Sequence, residues 1–286
     1  MTSRVTADTP SQTGSVPPVA RRHRRTALLR HSARSDKVLP YVGIAIALVS
    51  WWALSALGPL GKALPGPGET LSALMELLTT AVFWDRLGET LGAWVVGFCA
   101  AVLVGIPLGI VVGVSRFVEG SVHFVFEFLR PIPPVAVIPL AVLVIGTGAD
   151  MRAYLVAFAA LWPIVYNTIY GTRDVDPVTR DTAIMYGVKG FSLHRHLTIP
   201  TLLPYVVTGI RLSATIGLIV EVAIEIIAGS DGIGYLMNSL ATAGDVPGTY
   251  AVIFVAGVLG LTLTAVFRFI ETRLLHWHAS QRPLVP

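Results

Sequence analysis

The chain has 286 residues, of which 53% are hydrophobic and only 13% charged, with a mean hydropathy of +0.70. A soluble domain carries about 25% charged residues, so the composition excludes an ordinary water-soluble enzyme. The net charge of +4 and a pI near 9.4 would admit nucleic acid as a partner. The basic residues at the front, however, sit in a Ser/Thr/Pro/Arg-rich stretch without interleaved aromatics, and we expect no nucleic-acid binding.

Residues 1–36, which hold Arg4, Arg21, Arg22, Arg24, Arg25, Arg30 and Arg34, read as a disordered basic cytoplasmic tail. Its juxtamembrane arginines are drawn to anionic lipid headgroups. A topology signal is the simplest role, with a regulatory or partner-binding tail as the alternative. A cleaved signal peptide fits poorly, because the positive region is long and the apolar run after it exceeds an h-region. Runs without charge then occupy 38–61, 90–115, 131–149, 153–172 and 246–267, and a sixth apolar segment, 201–228, is interrupted only by Arg211, Glu221 and Glu225. Each reaches roughly the 18–20 residues that cross about 30 Å of hydrocarbon as helix. The expectation is an all-α, multi-pass membrane protein with about six transmembrane helices over 37–275 and a short cytoplasmic tail at 276–286.

Lys and Arg set the orientation. With the tail and Lys37 inside, Arg116, then Arg173, Arg180, Lys189 and Arg195, and finally Arg268, Arg273 and Arg282 also fall inside, against Lys62, Arg86 and Arg152 outside. Both termini and the loop 173–200 are therefore expected in the cytoplasm.

Along the chain, Leu64-Pro65-Gly66-Pro67-Gly68 is a turn, and Thr70 or Ser72 is the expected N-cap of a short helix running through Phe83 at the outer face. Gly92, Gly97, Gly105, Gly109 and Gly113 in the second span permit close helix approach. Residues 115–120 read as a tight inner turn, with a third helix from Ser121 broken at Arg130-Pro131-Ile132-Pro133-Pro134 and Pro139, because proline lacks an N–H and clashes with the preceding turn. Broken backbone at membrane depth is tolerated where it faces protein or water, which makes this segment a candidate lining element. A Gly-rich outer turn is expected over 229–235.

Arg130 and Arg211 should lie roughly 12–15 Å from the cytoplasmic side, where each needs a partner. Glu127 shares a helical face with Arg130, and Glu221 and Glu225 lie one turn apart near the outer end of the fifth helix. Internal ion pairing is the first reading of these charges; a cationic patch for an anionic substrate and snorkelling to the inner surface are the alternatives. Cys99 is the single cysteine, so no intrachain disulfide forms. His123, His194, His196, His276 and His278 lack metal-ligand spacing, and no metal site is expected. Trp51, Trp52 and Trp94 read as packing or lipid-facing, whereas Trp162-Pro163 opens the backbone in mid-helix.

Residues 181–200, D-T-A-I-M-Y-G-V-K-G-F-S-L-H-R-H-L-T-I-P, resemble the cytoplasmic coupling loop of ABC-importer permeases, whose pattern is E-A-A, three residues, Gly, nine residues, I-x-L-P. Asp181, Thr182, Ala183, Gly187, Leu197, Ile199 and Pro200 stand at the matching positions, with Asp for Glu, Thr for Ala and an Ile/Leu exchange. The strings L-P-G-P, G-I-P-L-G-I, F-L-R-P-I-P-P, W-P-I-V-Y-N-T, V-D-P, G-I-R-L and G-I-G-Y-L extend the resemblance to the sulfonate, taurine and nitrate branch over residues 38–275. The resemblance implies a non-catalytic permease in a bacterial plasma membrane. Its partners would be a second copy of itself or a paralogue, two ATPase subunits and an extracytoplasmic binding protein. No G-x-x-x-x-G-K-[ST] loop is present, so ATP and Mg belong to the ATPase and no cofactor is expected on this chain. The translocation path is expected along the dimer axis, near Arg130, Pro131, Pro133, Pro134, Trp162, Asn167, Arg211, Glu221 and Glu225. Gly187 should sit where a side chain would block the turn between two short helices, and Asp181 should cap or pair near the ATPase. The implied substrate is a small organic anion such as an alkanesulfonate or taurine, or nitrate; the alternatives are an uncharged vitamin precursor, or a stand-alone channel or secondary carrier, which would want an internal inverted repeat. An intramembrane protease lacks its nucleophile and base.

Overall fold

The computed structural model describes residues 35–57 and 63–275, and every regular element among them is a helix. The amino-terminal tail up to residue 34, Lys62 and the carboxy-terminal tail from residue 276 lie outside the described residues. Helix α1 spans Ser35–Leu57. Its residues 35–50 belong to one unit and a second unit begins at Trp51, whose indole Nε1 donates to Pro65 O at 3.0 Å.

Helix α2 (Pro67–Leu78) begins earlier than expected. Its N-cap is Gly66 rather than Thr70 or Ser72, because Pro67 at the first position supplies a preset φ and needs no N–H partner. Glu69 reaches back to accept from Gly66 N at 3.1 Å. The helix stops before Thr80, which caps α3 (Ala81–Val114) by accepting from Phe83 N. After one break at Ser115 the chain enters α4 (Arg116–Leu129) directly. The tight turn expected over 115–120 is thus a single N-capping serine, and Gly120 is helical. The proline cluster does break the third span: α4 and α5 (Pro134–Ile145) meet at 91°. The break is confined to residues 130–133, however. Pro134 starts a regular helix at its first position, where its ring is tolerated, and Pro139 lies inside that helix.

Then follow α6 (Ala149–Arg173), α7 (Pro177–Met185), a short helical turn α8 (Phe191–Leu193), a π-helical turn His194–Thr198, α9 (Ile199–Ala228), α10 (Ile233–Thr242) and α11 (Val246–Leu274). By length and composition α3, α6 and α11 are apolar enough to cross a membrane, and the count reaches five if each bent pair is one span. The apolar part of α1, Tyr41–Leu57, is shorter.

The core is α6 held between α3 and α9. Trp94, Phe98 and Ala101 of α3, Leu155, Val156 and Ile164 of α6, and Ala214, Leu218 and Ile224 of α9 form one buried cluster. Burial follows from small residues. An added Cβ at Gly109 would lie 2.5 Å from Thr168 Cβ and 2.9 Å from Val165 O, and one at Gly105 would lie 2.9 Å from Ile164 Cγ2. Gly97 and Gly113 face α6 in the same way, but Gly92 faces open space. In lipid, where apolar burial gives no drive between helices, this closeness supplies the packing energy. Trp94 is therefore a core residue, stacked on Phe98 with Nε1 donating to Ala214 O at 3.1 Å; Trp52 is exposed.

Gly109→Val should force α3 from α6 at a cost of about 1–3 kcal/mol, seen as a lower melting temperature and monodisperse yield in detergent. Gly92→Ala should leave both unchanged. Equal behaviour of the two variants would contradict the packing described.

Candidate functional site

The loop resembling a coupling segment centres on α7, a short helix capped at both ends. Asp176, not Asp181, caps α7: its carboxylate accepts from Val178 N at 3.3 Å, Thr179 N at 3.0 Å and Thr179 Oγ1 at 2.6 Å. These bonds, the Thr179 hydroxyl first and then the two amides, hold the Asp176 carboxyl below the usual carboxylate range. Asp181, Thr182 and Ala183 lie along α7 beyond that cap. The helix ends in a Schellman motif: Val188 N donates to Ala183 O at 3.0 Å and Gly187 N to Ile184 O at 2.9 Å, with Gly187 at φ +83°. An added Cβ at Gly187 would meet nothing within 4 Å. The expectation of a steric block is therefore corrected: the glycine is required by its left-handed backbone, not by crowding.

Leu197 lies in the π-helical turn and Ile199 and Pro200 open α9. A regular helix through Pro200 would set its ring against the His196 carbonyl, and the wider turn, in which Ile199 N donates to His194 O, relieves that contact. Met185, Tyr186 and Phe191 stand 88%, 85% and 77% exposed at the tip. Sequence reading passed over these residues. The signal was three large apolar side chains in a polar stretch around two glycines.

At the opposite end of α6 and α9 lies a buried ion cluster. Arg152, expected outside as a topology charge, is 2% exposed. Its Nη1 donates to Glu221 Oε1 and Glu225 Oε1, both at 3.2 Å, and its Nη2 to Glu89 Oε2 at 2.9 Å; Nη1 also meets the Asp231 carbonyl. Glu221 and Glu225 are fully buried. Glu225 additionally accepts from Thr90 Oγ1 at 2.6 Å and Gly234 N at 2.8 Å, and Thr90 Oγ1 accepts from Ile233 N at 2.9 Å. Arg152 Nε and Glu221 Oε2 have no hydrogen-bond partner among the described residues. Above the cluster Arg86 pairs with Asp231 and covers the ring of Tyr235 at 5.2 Å. The Gly-rich turn is shorter than expected, because α10 already starts at Ile233.

The other proposed path residues do not converge on this cluster. Arg211 pairs with Glu271 of α11 at 2.5 Å, a partner sequence reading did not consider. Arg130 caps α4 and its guanidinium lies 4.4 Å from the Tyr166 ring centre, while no ion pair joins it to Glu127. Pro131 and Pro133 lie in the bend, and Trp162 packs edge-on between Phe126 and Phe158. Asn167 Nδ2 donates back to Pro163 O at 2.8 Å within the same helix. The bend and α6 thus meet through Arg130–Tyr166 and Phe126–Trp162, some distance along α6 from Arg152.

Removing Arg152 should strand two buried carboxylates. Breaking such a pair costs about 3–5 kcal/mol, so Arg152→Ala should lower the melting temperature in detergent sharply, and Arg152→Lys, lacking the fork, should recover only part of it. An unchanged melt would refute the network. The Asp176 cap carries a pH signature. A carboxyl whose folded pKa is depressed stabilises above its unfolded value and loses that contribution as pH falls through the folded one. Proteolytic cleavage within α7 should therefore accelerate below about pH 4, and Asp176→Asn, which caps without titrating, should flatten the dependence.

Residues 105–276 match the family of binding-protein-dependent transport system inner membrane components. The chain is 30% identical over 246 residues to the taurine transport system permease protein of Escherichia coli, covering 83% of this chain and 88% of that one. It is 29% identical over 249 residues to a nitrate import permease protein of Synechocystis, covering 83% and 90%. Among solved structures, a bacterial ABC transporter involved in the import of the acidic polysaccharide alginate has a chain that superposes with a TM-score of 0.54 at 15% identity, covering 84% of this chain and 97% of its own, which shows a shared fold. The sequence, the helical body and these relatives agree: the chain belongs to the inner-membrane permease family of ABC importers, in the branch of the sulfonate, taurine and nitrate permeases.

Proposed function

We propose that the chain is the non-catalytic translocation subunit of an ATP-driven importer in a bacterial plasma membrane. It works as a dimer with two ATPase subunits, which hold ATP and Mg, and receives its solute from an extracytoplasmic binding protein. The observation that carries this reading is the loop: a rigid, double-capped turn presenting Met185, Tyr186 and Phe191 to solvent at the shared end of α6 and α9. Exposed aromatic and Met anchors on a polar rim are the composition of a docking surface. Arg173 is 21 positions from Arg152 in sequence, about 30 Å along the helix. A push on the loop would therefore be carried by α6 and α9 together to the tied ends at the cluster.

The relatives' names favour a small anion, an alkanesulfonate, taurine or nitrate, as the solute. Since Arg211 is engaged by Glu271 and Arg130 by Tyr166, we assign selection of that anion chiefly to the binding protein rather than to a cationic patch in the membrane. The path itself follows the α4–α5 bend beside α6 and α9.

The test is reconstitution with the neighbouring ATPase and binding protein. Wild type should show ATP turnover stimulated by loaded binding protein and uptake of taurine or nitrate. Gly187→Phe should remain inserted and dimeric but lose uptake at least about tenfold, because the left-handed C′ position disfavours any side chain. Normal transport by Gly187→Phe would remove the loop from the coupling role.

A further inference from the structure

The loop end of the body holds a cavity of about 420 Å³ that the transport reading does not use. A water occupies about 30 Å³ of liquid volume, so the space exceeds one small ion. Arg116, Arg173, Arg180 and His194 line it, and Glu119 is the lone carboxylate among its lining residues. Glu119 is already engaged, accepting from Arg173 Nη1 at 2.7 Å. Arg116 and Arg180 form no ion pair among the described residues. Three guanidinium groups thus converge on one concave space with a single counter-charge between them. The lining side chains come from different elements: Arg116 opens α4, Arg173 closes α6, Arg180 lies on α7 and His194 starts the π-helical turn.

Three cations gathered about one carboxylate repel unless a further anion joins them, and planar guanidinium forks match the oxygens of a phosphate. We propose that this cavity binds a phosphate-type oxyanion, supplied by the headgroup of an anionic phospholipid or by free phosphate. Bound there, the anion braces the coupling loop, through Arg180 and His194, against the ends of the membrane helices, through Arg116 and Arg173. The inference rests on the proposed function only in placing this end of the body at the cytoplasmic headgroup layer. Its test reads binding and not uptake, so the two fail separately.

Full-length permease would be purified and its thermal unfolding followed in nanodiscs of phosphatidylcholine alone, in nanodiscs containing phosphatidylglycerol, and in phosphatidylcholine with inorganic phosphate titrated in. Arg116→Gln/Arg180→Gln would be compared with Lys189→Gln/Arg268→Gln, which removes the same charge away from the cavity. Stabilisation by phosphatidylglycerol alone, with half-saturation at least about tenfold weaker in the cavity variant but not in the control, identifies a headgroup site. Stabilisation by millimolar phosphate, lost in the same variant, identifies a free-ion site. Restoration of either response in Arg116→Lys/Arg180→Lys would show that charge in the cavity, not loss of fold, is responsible. If wild type and the cavity variant respond alike to every probe, or the control loses the response equally, the site does not exist.

Discussion

The fold depends on how one buried guanidinium is satisfied. Arg152 enters the body at the first turn of α6 with 2% exposure, and a buried charge is costly unless it is paired and hydrogen-bonded. Its two Nη atoms reach carboxylates from α3 and α9 and a carbonyl in the turn before α10. A lysine ammonium has no planar fork to span partners in several directions. Glu225 then serves twice, accepting from Gly234 N, while Thr90 both donates to Glu225 and accepts from Ile233 N. The amino-terminal amides of α10, which a helix leaves without intrahelical partners, are thereby satisfied by side chains from α9 and α3. Gly232 and Gly234 carry no Cβ where Glu225 packs against their backbone. Four helices are located by one charge.

That arrangement bears on transmission. α6 and α9 run between the cluster and the loop, and along their length α6 is packed tightly against both α3 and α9. Packed interiors resist continuous deformation and shift between discrete arrangements. A displacement applied at Met185, Tyr186 and Phe191 therefore has little room to dissipate inside the α6–α9 pair. The softer part is the 91° bend between α4 and α5, where residues 130–133 leave the regular ladder and contact with α6 is made through Arg130 on Tyr166 and Phe126 on Trp162. Face and edge contacts of this kind can slide without breaking an ion pair, which the Arg152 cluster cannot.

Much of this was legible in the sequence, because the strongest signals are local. Apolar runs fixed where most of the helices lie, the proline cluster fixed a bend, and the glycine spacing in α3 fixed a close helix pair. Gly187 was recognised as necessary, though for the wrong reason: the space around it is open, and the constraint is its positive φ, which sequence alone does not display. What failed was pairing at a distance. Read as a charge at the outer end of a span, Arg152 gave no sign that Glu221 and Glu225 of α9 are its partners. Arg211 does pair with a carboxylate, as internal pairing requires, but the partner is Glu271 across the interface with α11, which no local pattern in the sequence indicates. The cap of α7 fell to Asp176 because Pro177 sets the first helical residue, which places the capping oxygen one residue before the proline.

The two ends of the body treat charge in opposite ways, and the reason is solvent. Where a side chain is shut off from solvent, an ionised group must find its partners within the chain, so Arg152 is closed in by carboxylates and a carbonyl. At the loop end Arg116, Arg173 and Arg180 are exposed, solvent ions screen charges within about 8–10 Å, and an unpaired guanidinium is cheap. Arg116 and Arg180 can therefore face a cavity without an ion-pair partner among the described residues, and Arg173, 39% exposed, holds Glu119 at 2.7 Å. The closed network fixes geometry, whereas the open one can exchange ligands. The asymmetry runs along α6: the paired cluster at its first turn ties α3, α6, α9 and α10 together, and the open group of arginines stands at its other end beside the loop.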